Sequence, residues 1–300
     1  MKNSTKISIL GGDLRQLVVA CELGLRYDNI KIWGVSGENS KNAEGVKFCD
    51  ELPEALSGAE IVILPLPVSV DGVRLNCPAL DSEERPKLAM IAEGIQGGVK
   101  VIGGRIPKSF CERCEGRGIE VFDYFESEDF QIKNAYTTAE AALSIAMNTL
   151  DRNIRGARIA ITGYGRIARH LCDLLRLLGA EVTVAARRES DLAWAQSYGC
   201  DTIRICVGEA WNEALKRGYD VIYNTVPYWL FERDFLIECD KNTFIVDLAS
   251  APGGVDIRAA RELGSNVSWA TSLPGKYAPR SAGEIIAECV DKIIREGAGK

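Results

Sequence analysis

The residues of this 300-residue chain best suited to chemistry are a set of glycines followed by a pair of arginines. Ile159-Ala160-Ile161-Thr162-Gly163-Tyr164-Gly165-Arg166-Ile167-Ala168 has the form G-x-G-x-x-A directly after an apolar strand. Gly163 permits the tight turn, Gly165 lets the backbone approach a pyrophosphate, and Ala168 lets the helix behind pack closely on its sheet. A helix N-terminus adds N–H groups and a partial positive charge for the phosphates. Such a motif is weak when bare. Here Ile167, Leu171, Leu174, Leu175 and Leu178 line one face of the helix behind it, and Gly179 leads into a second strand. That context marks a dinucleotide site with Gly163, Tyr164, Gly165, Arg166 and Ile167 as its first contacts.

The end of the second strand selects the dinucleotide. A site for NAD usually places Asp or Glu about 20 residues on, to hold the ribose 2′-hydroxyl. Glu181–Ala186 is followed instead by Arg187 and Arg188. Guanidinium groups make charge-assisted, often bidentate bonds to phosphate, so the expected cofactor is NADP; the alternative is two solvated loop arginines. Asn224-Thr225-Val226-Pro227 and Asp247-Leu248-Ala249 end two further strands and are expected to border the nicotinamide and its ribose. Helix caps or turns are the competing roles for these polar residues.

Composition narrows the partners. Net charge is −6, and nucleic acids or anionic membranes call for a basic field, so neither is expected as a partner. No apolar run reaches the ~18–20 residues that span a bilayer. Met1-Lys2-Asn3-Ser4-Thr5-Lys6 leads straight into a strand-like run without a signal-peptide pattern, so a soluble, cytoplasmic protein is expected. The sole histidine, His170, falls well inside a helix, which argues against histidine acid–base chemistry. Of ten cysteines, at 21, 49, 77, 111, 114, 172, 200, 206, 239 and 289, only Cys111-Glu-Arg-Cys114 has metal-like spacing. A zinc site needs two more ligands, so reduced thiols and no metal are expected.

These residues must be carried by a frame of alternating strands and helices, the signature of parallel α/β sheets. The first half predicts five strands, at Lys6–Leu10, Asn29–Val35, Glu60–Pro65, Val99–Gly103 and Gly118–Tyr124, with helices including Leu14–Leu25 and Glu83–Glu93. A long helix over Thr138–Asp151 follows. The second half predicts six strands, at Arg158–Thr162, Glu181–Ala186, Thr202–Ile205, Asp220–Asn224, Thr243–Asp247 and Ser265–Ala270. The expectation is an α/β protein of two doubly wound, Rossmann-like domains with a cleft between them. Residues 1–130 would form a Rossmann- or flavodoxin-like substrate domain, 131–152 a linking helix and 153–280 the NADP domain. Residues 281–300 would be a helix returning towards the first domain.

Several segments resemble the A subunit of dipicolinate synthase from spore-forming bacteria. They are Gly11-Gly12-Asp13-Leu14-Arg15-Gln16, Ile63-Leu64-Pro65, Gly163-Tyr164-Gly165-Arg166, Asn224-Thr225-Val226-Pro227, Asp247-Leu248-Ala249-Ser250-Ala251-Pro252-Gly253-Gly254 and Leu273-Pro274-Gly275-Lys276-Tyr277-Ala278-Pro279-Arg280-Ser281-Ala282-Gly283. They run in order from about residue 6 to 290. The resemblance implies an NADP-dependent dehydrogenase that oxidises dihydrodipicolinate to dipicolinate, pyridine-2,6-dicarboxylate, in the mother cell during sporulation. It implies one partner, the flavoprotein-like B subunit of the same synthase. It also implies a fold like that of alanine dehydrogenase and the 2-hydroxy-acid dehydrogenases. A homo-oligomer is expected as well.

Chemistry of that kind needs two carboxylates anchored while hydride leaves a partly saturated ring. Arg15, in the turn after the first strand, is the first anchor candidate, and Arg105 the second. Ser69, Thr138 and Lys276 are further substrate-binding candidates, Lys276 in a loop flanked by Pro and Gly. Asp13 is the one candidate for the proton acceptor, with a helix cap as its alternative role. Two other functions stay open: a dehydrogenase for another small acid or imine, and a non-catalytic, regulatory NADP(H)-binding protein.

Overall fold

A computed structural model describes residues 2–35, 45–205, 211–216 and 218–296; Cys206 lies outside them. The chain divides into two compact units, Met1–Asn134 with Ala278–Lys300, and Ala135–Tyr277.

In the first unit the strands are β1 (Asn3–Leu10), β2 (Tyr27–Trp33), β3 (Val46–Phe48), β4 (Ile61–Ile63), β5 (Lys100–Gly103) and β6 (Glu120–Asp123). They lie parallel in the order β3-β2-β1-β4-β5-β6. Its helices are α1 (Leu14–Gly24), α2 (Leu52–Leu56), α3 (Leu88–Gly94), α4 (Lys108–Glu115), the start of α5 (Glu128–Thr149) and α12 (Pro279–Glu296). Helices on both faces bury the central strands on both sides, which is why β1, β4 and β5 read as apolar runs. Ile7 and Ile9 face a core with Val19, Leu23 and Val290, whereas Leu10, Val62 and Val101 face one with Ile91 and Phe110. Helix α12 lies on α1 at Gly283, where a Cβ would stand 2.6 Å from Val18 Cβ and 2.8 Å from the Arg15 carbonyl oxygen.

The second unit repeats the plan. Its strands are β7 (Arg158–Thr162), β8 (Glu181–Ala186), β9 (Asp201–Arg204), β10 (Val221–Asn224), β11 (Phe244–Asp247) and β12 (Val267–Trp269), parallel in the order β12-β11-β10-β7-β8-β9. Its helices include α6 (Arg166–Leu177), α7 (Glu189–Ser197), α8 (Trp211–Lys216), α9 (Arg233–Glu238), α10 (Ile257–Leu263) and α11 (Leu273–Tyr277). Ile159, Ile161, Val182 and Val184 pack under Leu171 and Leu175 of α6, and Ala139, Ala142 and Ala146 of α5 join the same core. Ile222 and Ile245 face Phe231 and Phe235 on the other side.

The expected two doubly wound α/β sheets are the ones found, with four local differences. The first sheet has six strands rather than five. The extra one, β3, is a three-residue edge strand with no buried residue, too short to show a period. The helix expected over Glu83–Glu93 begins only at Leu88, because Arg74 and Lys87 bridge antiparallel and Pro86 gives its carbonyl to Leu75 N. Helix α5 begins ten residues before the expected Thr138; Ser127 Oγ accepts from Phe130 N at 3.5 Å in front of it, a cap that the polar run Glu128-Asp129 conceals. Lys276 lies in the short helix α11, not in a loop.

Candidate functional site

In both sheets the order of strands reverses beside the first strand, between β1 and β4 and between β7 and β10, and α/β proteins bind ligands at the carboxyl ends of the strands there.

At the reversal in the second unit, the turn after β7 is built for a close approach. Gly163 has φ +84°, and a Cβ on it would meet Thr225 Oγ1 at 2.7 Å. Gly165, by contrast, has an ordinary φ of −79°, and a Cβ on it would meet nothing within 4 Å. Packing therefore demands glycine at 163 but not at 165. Gly165 is also the N-cap of α6 and supplies no side-chain bond to the first turn. The open space and the uncapped N–H groups together fit a bound phosphate. Arg166 is exposed and Ile167 half-buried, while Tyr164 is 5% exposed and packs its ring into the core. Burial pushes the Tyr164 phenol up to about 12, so it stays neutral.

The next two strand ends form one buried network. Thr162 Oγ1 donates to Asn224 Oδ1 at 2.6 Å, and Asn224 Nδ2 donates to Asp247 Oδ1 at 2.8 Å and to the Val226 carbonyl at 3.0 Å. Val226 N donates back to Asn224 Oδ1, and Asp247 accepts from Ala249 N and Gly254 N. Thr162, Asn224 and Asp247 are all fully buried. What these side chains deliver is the position of two loops. Thr225 and Val226 are half-buried, Pro227 is exposed, and Leu248 and Ala249 are buried.

Past β8, Arg187 is exposed and makes no hydrogen bond or ion pair among the described residues. Arg188 is tied to Asp191, Nε to Oδ2 at 2.7 Å and Nη2 to Oδ1 at 3.0 Å, which raises the guanidinium pKa further through that hydrogen bond. The two arginines are thus unlike: one is free, the other is engaged at the start of α7. His170 sits half-buried on α6, edge-on to Tyr136 with ring centroids 5.5 Å apart. It borders a cavity of about 350 Å³ that Arg169, Arg176, Trp194 and Tyr198 also line.

At the reversal in the first unit, Asp13 caps α1 and holds the neighbouring arginine. Its Oδ1 accepts from Arg15 N at 3.1 Å and Arg15 Nε at 2.8 Å, and its Oδ2 from Arg15 Nη2 at 2.8 Å. The same Nη2 donates to the Leu66 carbonyl at 2.6 Å. Arg15 is only 8% exposed, with a fixed guanidinium whose Nη1 has no partner among the described residues. The sequence offers Asp13 and Arg15 as separate candidates; in the structure they form one unit, in which the carboxylate aims the guanidinium. Arg105 follows β5 at φ +54°, its N–H bonded to Asp123 Oδ1 and its guanidinium 4.5 Å above the Phe125 ring. The single O–H of Ser69 is shared within its own loop, between Asp71 Oδ1 at 2.9 Å and the Arg74 carbonyl at 2.5 Å. Thr138 is buried in α5, and Lys276 is exposed on α11.

Cys111 is half-buried and Cys114 buried in α4, and burial raises both thiols, Cys114 to about 11. No group of three or more His, Cys, Asp and Glu among the described residues could hold a metal. No helix among them is long and apolar enough to cross a membrane.

Two parallel six-stranded sheets of this order, one opened by a glycine fingerprint, define a two-unit α/β protein of Rossmann type. The chain is similar, over nearly its whole length, to the A subunit of dipicolinate synthase. Residues 6–125 match the family model for the N-terminal domain of the dipicolinate synthase A subunit. The dipicolinate synthase A subunit of Bacillus subtilis is 28% identical over 299 residues, 99% of this chain and 98% of that protein. The crystal structure of the Bacillus halodurans A subunit superposes with a TM-score of 0.83 at 28% identity, covering 99% of each chain. L-alanine dehydrogenase shares the fold alone, with a TM-score of 0.64 at 12% identity over 98% of this chain and 91% of its own.

Proposed function

We propose that the protein is an NADP-dependent dehydrogenase that oxidises dihydrodipicolinate to dipicolinate, with the second unit holding the cofactor and the first the dicarboxylate. The observation that carries the reading is Gly165. Nothing in the protein's own packing calls for a glycine there, and it stands where a helix N-terminus faces open space. A nucleotide pyrophosphate supplies the missing reason. The 28% identity to the A subunit of dipicolinate synthase over nearly the full chain supports the substrate.

A bound NADP would supply the hydride acceptor, and the partly saturated ring would give up a hydride and a proton as it becomes aromatic. Aromatisation favours the forward direction, so the protein's task is positioning. Gly163, Gly165 and the first turn of α6 would hold the pyrophosphate. Arg187 would meet the 2′-phosphate with charge-assisted bonds. Asn224 and Asp247 fix the Thr225–Pro227 and Leu248–Ala249 loops that would border the nicotinamide. In the first unit Asp13 holds Arg15 in one orientation, and Arg15 would bind a substrate carboxylate through Nη1. The partner belonging to this reading is the B subunit of dipicolinate synthase, and the setting is sporulation.

Mixing the protein with NADP⁺ and freshly generated dihydrodipicolinate should raise the NADPH absorbance, and dipicolinate should accumulate in equal amount. No rise with NADP⁺ or NAD⁺, whether or not the B subunit is added, would overturn the reading.

A further inference from the structure

The first unit keeps three buried side-chain polar atoms without a hydrogen-bond partner at the carboxyl edge of its sheet: Gln16 Oε1, Gln16 Nε2 and the Tyr124 hydroxyl. Gln16 and Tyr124 are each 1% exposed. Among the described residues the other such atoms are the hydroxyls of Ser8, inside β1, and Ser265, after α10. Native proteins keep few buried groups in this state, and each one calls for a reason such as a bound partner.

The surrounding backbone is cut back to admit both side chains. Gly12 has φ +89°, and a Cβ on it would stand 2.4 Å from Gln16 Cγ and 2.9 Å from Pro65 Cβ. A Cβ on Gly104 would stand 2.7 Å from Tyr124 Cε2 and 2.8 Å from Leu66 Cδ1. Leu66 is also the residue whose carbonyl receives Arg15 Nη2. Gly12, residues 65–66, Gly104 and Tyr124 follow β1, β4, β5 and β6 in turn, so all lie at the carboxyl edge of the sheet. The order reverses between β1 and β4, and the Tyr124 ring, against Gly104, stands beside Leu66 at the end of β4. Burial raises the Tyr124 phenol far above its ordinary range, so it remains an O–H donor at any physiological pH.

We propose that Gln16 and Tyr124 are specificity-determining residues which, with Arg15, recognise a planar dicarboxylic acid. This rests on the dicarboxylate reading above. Arg15 Nη1, the Tyr124 O–H and the Gln16 amide N–H give donors for more than one carboxylate, which a monoacid leaves partly unused. Low dielectric makes each of these bonds stronger once made and each unpaired donor more costly. The atoms have no contact with solvent, so the acid must displace the side chains that cover them.

Calorimetric titration of the full chain with dipicolinate and with pyridine-2-carboxylate tests this, using Tyr124→Phe and Gln16→Met, which keep shape and remove the polar atoms. Each variant should bind dipicolinate about tenfold more weakly and lose preference over the monoacid. Each should melt no lower than the unmodified protein, since an unpaired buried group has been removed. Variants that bind dipicolinate within twofold of the unmodified protein overturn the assignment, as do variants whose melting temperature falls along with binding. An unmodified protein that takes up neither acid overturns the dicarboxylate reading itself.

Discussion

Asn224 Nδ2 donates a 2.8 Å hydrogen bond to Asp247 Oδ1, joining the ends of β10 and β11 where neither side chain touches water. Thr162 completes the row from β7, so three adjacent strand ends are fastened by side chains as well as by the sheet ladder. Asp247→Asn would turn an N–H₂ towards either Asn224 Nδ2 or the N–H of Gly254. Hydrogen bonds to a charged group are worth about 1.5–3 kcal/mol, so the variant should lose roughly that much stability. A urea titration followed by circular dichroism measures it; a midpoint equal to that of the unmodified protein would show the network to be incidental.

The two glycines of the fingerprint should separate under substitution. Gly163→Ala puts a Cβ at positive φ and 2.7 Å from Thr225 Oγ1, so it should cost about 1–2 kcal/mol of stability. Gly165→Ala has a compatible φ and open space, so the melting temperature should hold or rise slightly through the smaller entropy of the unfolded chain. Nucleotide affinity should nonetheless fall at least tenfold, because the new methyl group occupies the approach. Thermal melts paired with a fluorescence titration of NADPH distinguish the two.

Arg187 and Arg188 are indistinguishable as letters, and the structure separates them by their partners. Arg187→Ser removes a free guanidinium and should weaken NADP⁺ about 10- to 100-fold, the equivalent of one charge-assisted bond of about 1.5–3 kcal/mol, with NAD⁺ unchanged. Arg188→Ser chiefly releases Asp191 and should shift the preference less. Equal losses for the two cofactors in Arg187→Ser would remove the 2′-phosphate from the account.

The loop that carries Ser69 answers to pH through Asp71. Its carboxyl is held down to about 2, first by the N–H of Arg74, then by that of Val73 and the Ser69 hydroxyl. A depressed acid favours the fold above its ordinary pKa near 4, and that contribution fades as pH falls through about 2. Carboxyl chemical shifts should therefore show Asp71 ionised at pH 3, and Ser69→Ala should raise its midpoint.

The sequence reveals what depends on local pattern. The G-x-G-x-x-A turn, α6 behind it and the strand alternation are all written in neighbouring residues. Asn224 and Asp247 are visible as polar strand ends, but their partners lie 62 and 23 positions away, and no spacing rule joins them. Gln16 shows only as one letter of a turn, because having no partner is a property of packing. The edge strand β3 lacks a buried residue and so lacks the hydrophobic period by which strands are recognised.

Because α12 closes on α1 at Gly283, the first unit is assembled from two stretches of chain that lie before and after the second unit. During synthesis its sheet must wait, with part of one apolar side covered only by α1 and the start of α5, until the ribosome has delivered α12. The intervening unit is continuous in sequence and has no such delay. Nascent chains released before residue 279 should therefore hold a folded Ala135–Tyr277 unit beside a sheet that chaperones still recognise.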